Sequence, residues 1–239
     1  MNRFWSVLCI FTLLFCSLTG AAAQVLPSSN RSQAEGTVEE FYLQSLEMQI
    51  LQEQINGMGQ DMKLLALSNI AHMMDDGKVS EGDPEVNYLL NLLANEGIGH
   101  QIRENNRLVN DFPVVRKEAA ALLGRLGGDT AKKSLIQIAH NDIEPMVLSE
   151  AVYQLGVIGL NENNEVSTAI ADALSRQSIM NPSDNFAYAA LLAFQKLAAA
   201  NGGLKDPNAF RAIITIAQGP YIYEVRVKAN EVLNDLRQY

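Results

Sequence analysis

Asp75-Asp76-Gly77-Lys78-Val79-Ser80-Glu81-Gly82-Asp83 is the acid-rich stretch of this 239-residue chain that invites a cation. A calcium loop of the EF-hand kind places acids at alternate positions before its glycine, and this spacing misses that pattern. It reads as a solvated loop between two helices. The three histidines, His72, His100 and His140, are widely separated in sequence. Both cysteines, Cys9 and Cys16, fall within residues 1–23. A chain that loses that segment has no thiol nucleophile and no thiolate metal site. No phosphate-binding Gly loop and no Gly-x-Ser-x-Gly elbow occurs. The expectation is a protein that is not an enzyme, with no catalytic residue, metal or cofactor.

Residues 1–23 read as an address. Arg3 supplies a positive start, Phe4 to Leu18 a mostly apolar run, and Ala21-Ala22-Ala23 the small residues of a signal peptidase site, with cleavage before Gln24. The run is short for a membrane span of about 20 residues and lacks a basic stop signal. Cys16 raises lipidation, which the bulky Phe15 before it disfavours. The mature chain would carry no disulfide and no integral membrane segment. A cysteine-free exported protein suits a bacterial periplasm better than a disulfide-rich extracellular setting, with secretion or a lipid anchor as lesser alternatives. Asn30-Arg31-Ser32 matches a glycosylation acceptor, a pattern too short to weigh.

The chain has 18 basic and 27 acidic residues; without Arg3 the balance is 17 to 27, a net charge of −10. That disfavours nonspecific binding to nucleic acid or anionic lipid. The charge is uneven. Ser32 to Met62 holds six acids and no Lys or Arg, whereas Arg103 to Lys133 holds seven bases against four acids. The acidic stretch is either a solvated helix or a surface that docks on a basic partner, a neighbouring copy included.

The elements that would position any surface are helices. Residues 24–36 are polar, with Pro27 and several serines, and read as a flexible tether. Thr37-Val-Glu-Glu40 is a capping box, opening a helix that Gly57 and Gly59 stop; residues 37–57 are expected to form an N-terminal cap on a stack of repeats. Phe41, Met48, Leu51 and Ile55 make its apolar stripe, which suits packing on the first repeat and could also seed a short coiled coil. From residue 58 to 239 a helical phrase recurs. Its central small residues are Ala66, Ala119, Ala151, Ala190 and Ala229, separated by 53, 32, 39 and 39 residues. Large apolar residues stand four later (Ile70, Leu123, Leu155, Phe194, Leu233) and seven later (Met73, Leu126, Ile158, Leu197, Leu236). Others stand four before: Met62, Val115, Val147, Phe186 and Val225. Positions −4, 0, +4 and +7 share one helix face, and alanine at the centre admits a close partner helix.

A second apolar helix is expected in each complete unit: 85–94, 131–139, 166–174 and 208–217. Gly127-Gly128-Asp129, Asn161 to Asn164 and Gly202-Gly203 supply turns, and Pro113, Pro145, Pro182 and Pro207 mark helix starts. The 53-residue interval holds an insertion, Gly97 to Asp111, expected to be one extra short helix. No convincing strand pattern appears. The fold class is all-α: a solenoid of stacked antiparallel helix pairs with an N-terminal capping helix.

Pro113, Val115, Arg116, Ala119, Ala120, Leu123, Gly124, Leu126 and Gly127 resemble the HEAT-repeat family, in particular its bacterial PBS-lyase HEAT-like branch. The Pro145 unit keeps Glu150, Ala151, Leu155, Gly156 and Gly159, with Leu148 where the pattern has Arg; the last unit keeps Val225-Arg226. The resemblance covers roughly residues 60–239 and speaks to fold rather than activity. It implies that Arg116 and Arg226 are structural, Arg116 pairing with Asp111 or Asp142. Some relatives are enzymes, and a deoxyhypusine hydroxylase holds iron through His-Glu pairs. Here the pairs are His72-Met73, His100-Gln101 and His140-Asn141. A chromophore lyase would be expected inside the cell, against the export signal.

The functional expectation is an exported scaffold that binds another protein along the surface lined by its second helices. Candidate contacts are Asn91, Lys132, Lys133, Gln137, Asp172, Arg176 and Arg211, with Tyr221 and Tyr223 near the C-terminal end, where core packing is the competing reading. The alternatives are a structural protein that self-associates end to end and an unrecognised metal- or cofactor-dependent enzyme.

Overall fold

The computed structural model describes residues 37–99, 101–180 and 182–239. The expected signal peptide and tether, both cysteines, Asn30, His100 and the side chains of Glu40 and Phe41 lie outside the described residues. The chain divides at residue 41, and residues 42–239 form a compact unit of their own. Among the described residues ten α-helices are seen: α1 (Val38–Asn56), α2 (Gln60–Asp75), α3 (Pro84–Ala94), α4 (Pro113–Leu126), α5 (Gly128–Asn141), α6 (Pro145–Ile158), α7 (Glu165–Met180), α8 (Asp184–Asn201), α9 (Pro207–Gln218) and α10 (Tyr223–Leu236). None of the described helices is long and apolar enough to cross a membrane.

The helices form the expected all-α solenoid. The first helices α2, α4, α6, α8 and α10 pack successively on one another, and the second helices α3, α5, α7 and α9 make a parallel row. The periodic apolar face explains this. Each central alanine is fully buried, as are Ile70, Leu123, Leu155 and Phe194 four residues on. Close approach is enforced where two glycines replace larger residues. A Cβ on Gly124 would lie 2.6 Å from the Cβ of Gln154, and one on Gly156 would lie 2.6 Å from the Cα of Ala193. Proline opens α3, α4, α6 and α9, where the missing N–H has no intrahelical partner to lose. Asp83 of the acid-rich loop caps α3 through the amides of Glu85 and Val86. Asp75 pairs with Arg125 at 2.5 Å.

Two sequence expectations need correcting. The insertion after α3 is a β-hairpin, not a short helix: β1 (Arg103–Glu104) pairs antiparallel with β2 (Arg107–Leu108). The two residues between them, Asn105 and Asn106, have φ of 49° and 65°. Both central residues of a type I′ turn need positive φ, and asparagine tolerates it because its side chain bonds locally. At the neck, Gly97 has φ 76°, and a Cβ there would sit 2.5 Å from the carbonyl oxygen of Asn110. The second correction is at the start of α2: Met62 is exposed, and Lys63 turns inward instead.

Candidate partner-binding cleft

The inward turn of Lys63 places its side chain in the lining of a cleft beside the insertion. Lys63 lies three residues before its unit's central Ala66, the register that Arg116 occupies before Ala119. Both side chains are buried, at 5 % and 2 % exposure. A buried cation needs carboxylates and carbonyls to offset its lost hydration. Lys63 Nζ donates to the carbonyl of Ile55 at 2.6 Å and pairs with Glu96 Oε2 at 3.2 Å. The other Glu96 oxygen accepts from Asn110 Nδ2 at 2.8 Å, and Asn110 Oδ1 accepts from the amide of Ile102. Glu96 therefore ties the start of α2 to the hairpin insertion.

Arg116 extends the network into the next unit. Its Nη1 donates to Asp111 at 2.7 Å and to the carbonyl of Glu96 at 3.1 Å, and its Nε donates to Asp142 at 2.7 Å. Burial disfavours the guanidinium charge, yet the hydrogen bonds it donates to Asp142 and Asp111 outweigh that and hold its pKa above the ordinary value. Asp142 also accepts the amides of Ile143 and Glu144, so the same carboxylate fixes the entry to α6. Arg116 thus makes the two carboxylate pairs that its motif implied. Arg226 does not: it is exposed and has no ion pair among the described residues, which corrects its structural assignment.

Over this network opens a cleft of about 590 Å³. One wall is the α1–α2 junction from Ile55 to Met58, a second the end of α3 with Asn91, Leu92, Asn95 and Glu96, and a third the insertion with Ile102, Val109 and Asn110. Lys63 and Gln137 of α5 also line it. Asn91 donates to Ser134 at 2.7 Å, bridging α3 to α5, and Asn95 donates to the Asn91 side chain at 2.8 Å. Apolar walls with a few fixed amides suit a ligand that itself alternates apolar groups and amides.

The sequence-derived contact residues divide into groups. Asn91 and Gln137 meet in this cleft. Asp172, Arg211 and Tyr221 line a smaller groove of about 160 Å³ between α7 and α9. Lys133 is exposed and pairs with Asp129, Arg176 is exposed and donates to the carbonyl of Ala139, and Tyr223 is 70 % exposed. Two candidates are buried, Tyr221 in keeping with its core-packing alternative. Lys132 is buried between Asp129 and Glu165, which keep its ammonium charged above its ordinary value against the cost of burial. Tyr221 is buried at the groove wall, and burial, reinforced by Asp184, raises its phenol pKa. Neither offers a free surface group.

Lys63, Asn95, Glu96 and Asn110 are cleft residues that sequence reasoning missed. The available signal was register: a base three residues before a central alanine in two successive units. Comparison with known proteins finds no matching family model, no matching curated protein and no matching solved structure.

Proposed function

We propose that this protein is an exported HEAT-like repeat scaffold of the cell envelope that binds a partner protein. The cleft beside the hairpin holds an extended segment of that partner. The observation that supports this reading is the combination of walls: Ile55, Leu92, Ile102 and Val109 supply apolar contact, while Asn91, Asn95 and Gln137 offer the donors and acceptors that a peptide backbone needs. The bonded network of Lys63, Glu96 and Asn110 holds the cleft preformed, so little ordering entropy is lost on binding. The net negative charge and the bonded states of the buried ions fit a peptide better than a polyanion.

A photo-activated crosslinker placed at Gln137 in cells tests the reading. A discrete protein adduct from position 137, and none from Val157 on the exposed side of α6, is the expected result. Equal labelling from both positions, or none from 137, would remove the cleft from consideration. Fractionation of the same cells tests export: the protein belongs in the envelope fraction, shortened by its leader.

A further inference from the structure

The helix α1 is apolar on two sides. Met48, Leu51 and Ile55 are buried in the core of the stack. On the other side Leu43 and Ile50 are 58 % and 52 % exposed, half-buried Leu46 lies between them, and exposed Glu53 ends this apolar stripe with a charge. Tyr42 borders it at 64 % exposure. A surface helix ordinarily turns charge to solvent, so a second apolar stripe on one helix is a surface awaiting cover. The helix carries Glu39, Glu40, Glu47 and Glu53 and no basic residue.

The opposite end of the stack offers the complement. Each of α3, α5 and α7 packs against the second helix of the following unit. On α9 lies an open groove of about 660 Å³ that no residue of α7 lines. Its walls are Leu204, Pro207, Phe210 and Ile214, with exposed Lys205 and Arg211 at the edge and no acid. The groove is apolar with a basic margin; the α1 stripe is apolar on an acidic helix. A helix laid in such a groove through residues spaced three, four and seven apart is a common recognition mode.

We propose that the occupant of the α9 groove is α1 of a second copy. The contact is heterologous, so each copy keeps a free stripe at one end and a free groove at the other, and association proceeds head to tail. It uses neither the hairpin cleft nor the partner bound there.

Sedimentation of protein expressed from the full-length chain tests this, from about 1 µM to about 100 µM, the range in which interfaces of modest quality associate. In low salt the average mass should climb with concentration, and salt should reverse the climb. Ile50→Lys removes the stripe, and Ile214→Glu with Arg211→Glu removes the groove. All three residues are exposed, so circular dichroism should be unchanged. Each variant should sediment as a monomer, and an equal mixture should form a one-to-one dimer that grows no further, because each supplies the face the other lacks. A wild-type protein monomeric throughout would overturn the proposal. So would association that survives in the groove variant, which would mean that α1 meets α1, or a mixture that stays monomeric.

Discussion

The two halves of the stack solve one packing problem differently. Three residues before each central alanine, the chain places Lys63, Arg116, Leu148, Ala187 and Arg226 in turn. In the N-terminal half this position is a buried cation, and acids are drawn from connecting segments to meet it: Glu96, Asp111 and Asp142. In the C-terminal half Leu148 and Ala187 are buried apolar residues, and the first helices close until Gly156 lies against Ala193. The difference has a consequence for function. Satisfying Lys63 and Arg116 requires the insertion to fold back over the helices, and that fold-back leaves the cleft. Where the position is apolar, no such loop is needed and the groove between α7 and α9 stays small, at about 160 Å³.

The comparison breaks most directly at Asp142. Its carboxylate is fully buried and holds Arg116. Asp142→Ala takes the buried carboxylate from Arg116, leaving it only half-exposed Asp111, and should cost about 3 kcal/mol in a urea unfolding titration. Arg116→Leu combined with Asp142→Ala should cost less than Asp142→Ala alone, because no charge is then left without its partner. If the double replacement costs as much as both single ones added, the N-terminal half is not held by a coupled ion network.

Gly156→Ala is the counterpart in the C-terminal half. The new methyl meets the Ala193 backbone, which cannot yield as a side chain can. A loss of about 1–3 kcal/mol is expected from forced separation of α6 and α8. Gly124→Ala meets Gln154, whose outer atoms can turn away while its Cβ, 2.6 Å off, cannot, and should cost somewhat less because the three nearest atoms are all of a side chain. An equal loss at both glycines would show that α4–α6 and α6–α8 packing is alike.

The same contrast shows what the sequence made legible. The recurring face named the helices and their order, because apolar spacing is a property of each helix alone. It misplaced Met62, whose apolar character satisfied the pattern although its neighbour Lys63 turns inward. That inversion depends on Glu96, which arrives from elsewhere in the chain. Lys132 was misjudged for a related reason: a lysine on a second helix looks exposed until Glu165 from the next unit reaches it. The hairpin was missed because two-residue strands show no alternation, and its Asn105-Asn106 turn lacks the glycine that usually announces one. Cleft residues were therefore readable only where helix periodicity, rather than contacts distant in sequence, placed them.

At the boundary between the halves, Asp129 binds Lys132 and Lys133, whose hydrogen bonds lower its pKa from 3.8 to about 2. A depressed carboxylate contributes stability above its ordinary pKa, and that contribution fades as pH falls from near 4 through about 2. Lys132 is raised, so its share is complete below 10.5 and fades as pH rises beyond that value. The stability difference between wild type and Asp129→Asn should be flat across neutral pH and close on acidification toward pH 2. Because Asp129 is exposed, the effect should be smaller than at Asp142 or Gly156. A difference that persists unchanged at pH 2 would mean that Asp129 acts through something other than its charge.

Asn87 gives the smallest expected effect and the sharpest check on the N-terminal half. It is 3 % exposed on α3, and its Nδ2 is a buried polar atom with no partner among the described residues. Lys63 and Arg116, buried in the same half, have every side-chain nitrogen bonded to an oxygen, whereas the Nδ2 of Asn87 has none. Removing an unsatisfied amide recovers a desolvation cost of about 1–3 kcal/mol, which offsets the packing its loss forfeits. Asn87→Ala should therefore shift the urea midpoint little, within about 1 kcal/mol in either direction. Asn87→Asp should be clearly worse, since it buries a charge with no cation to meet it. If Asn87→Ala costs as much as Asp142→Ala, then Asn87 is bonded in solution, and polar satisfaction in this half extends beyond the Lys63–Glu96–Arg116 network.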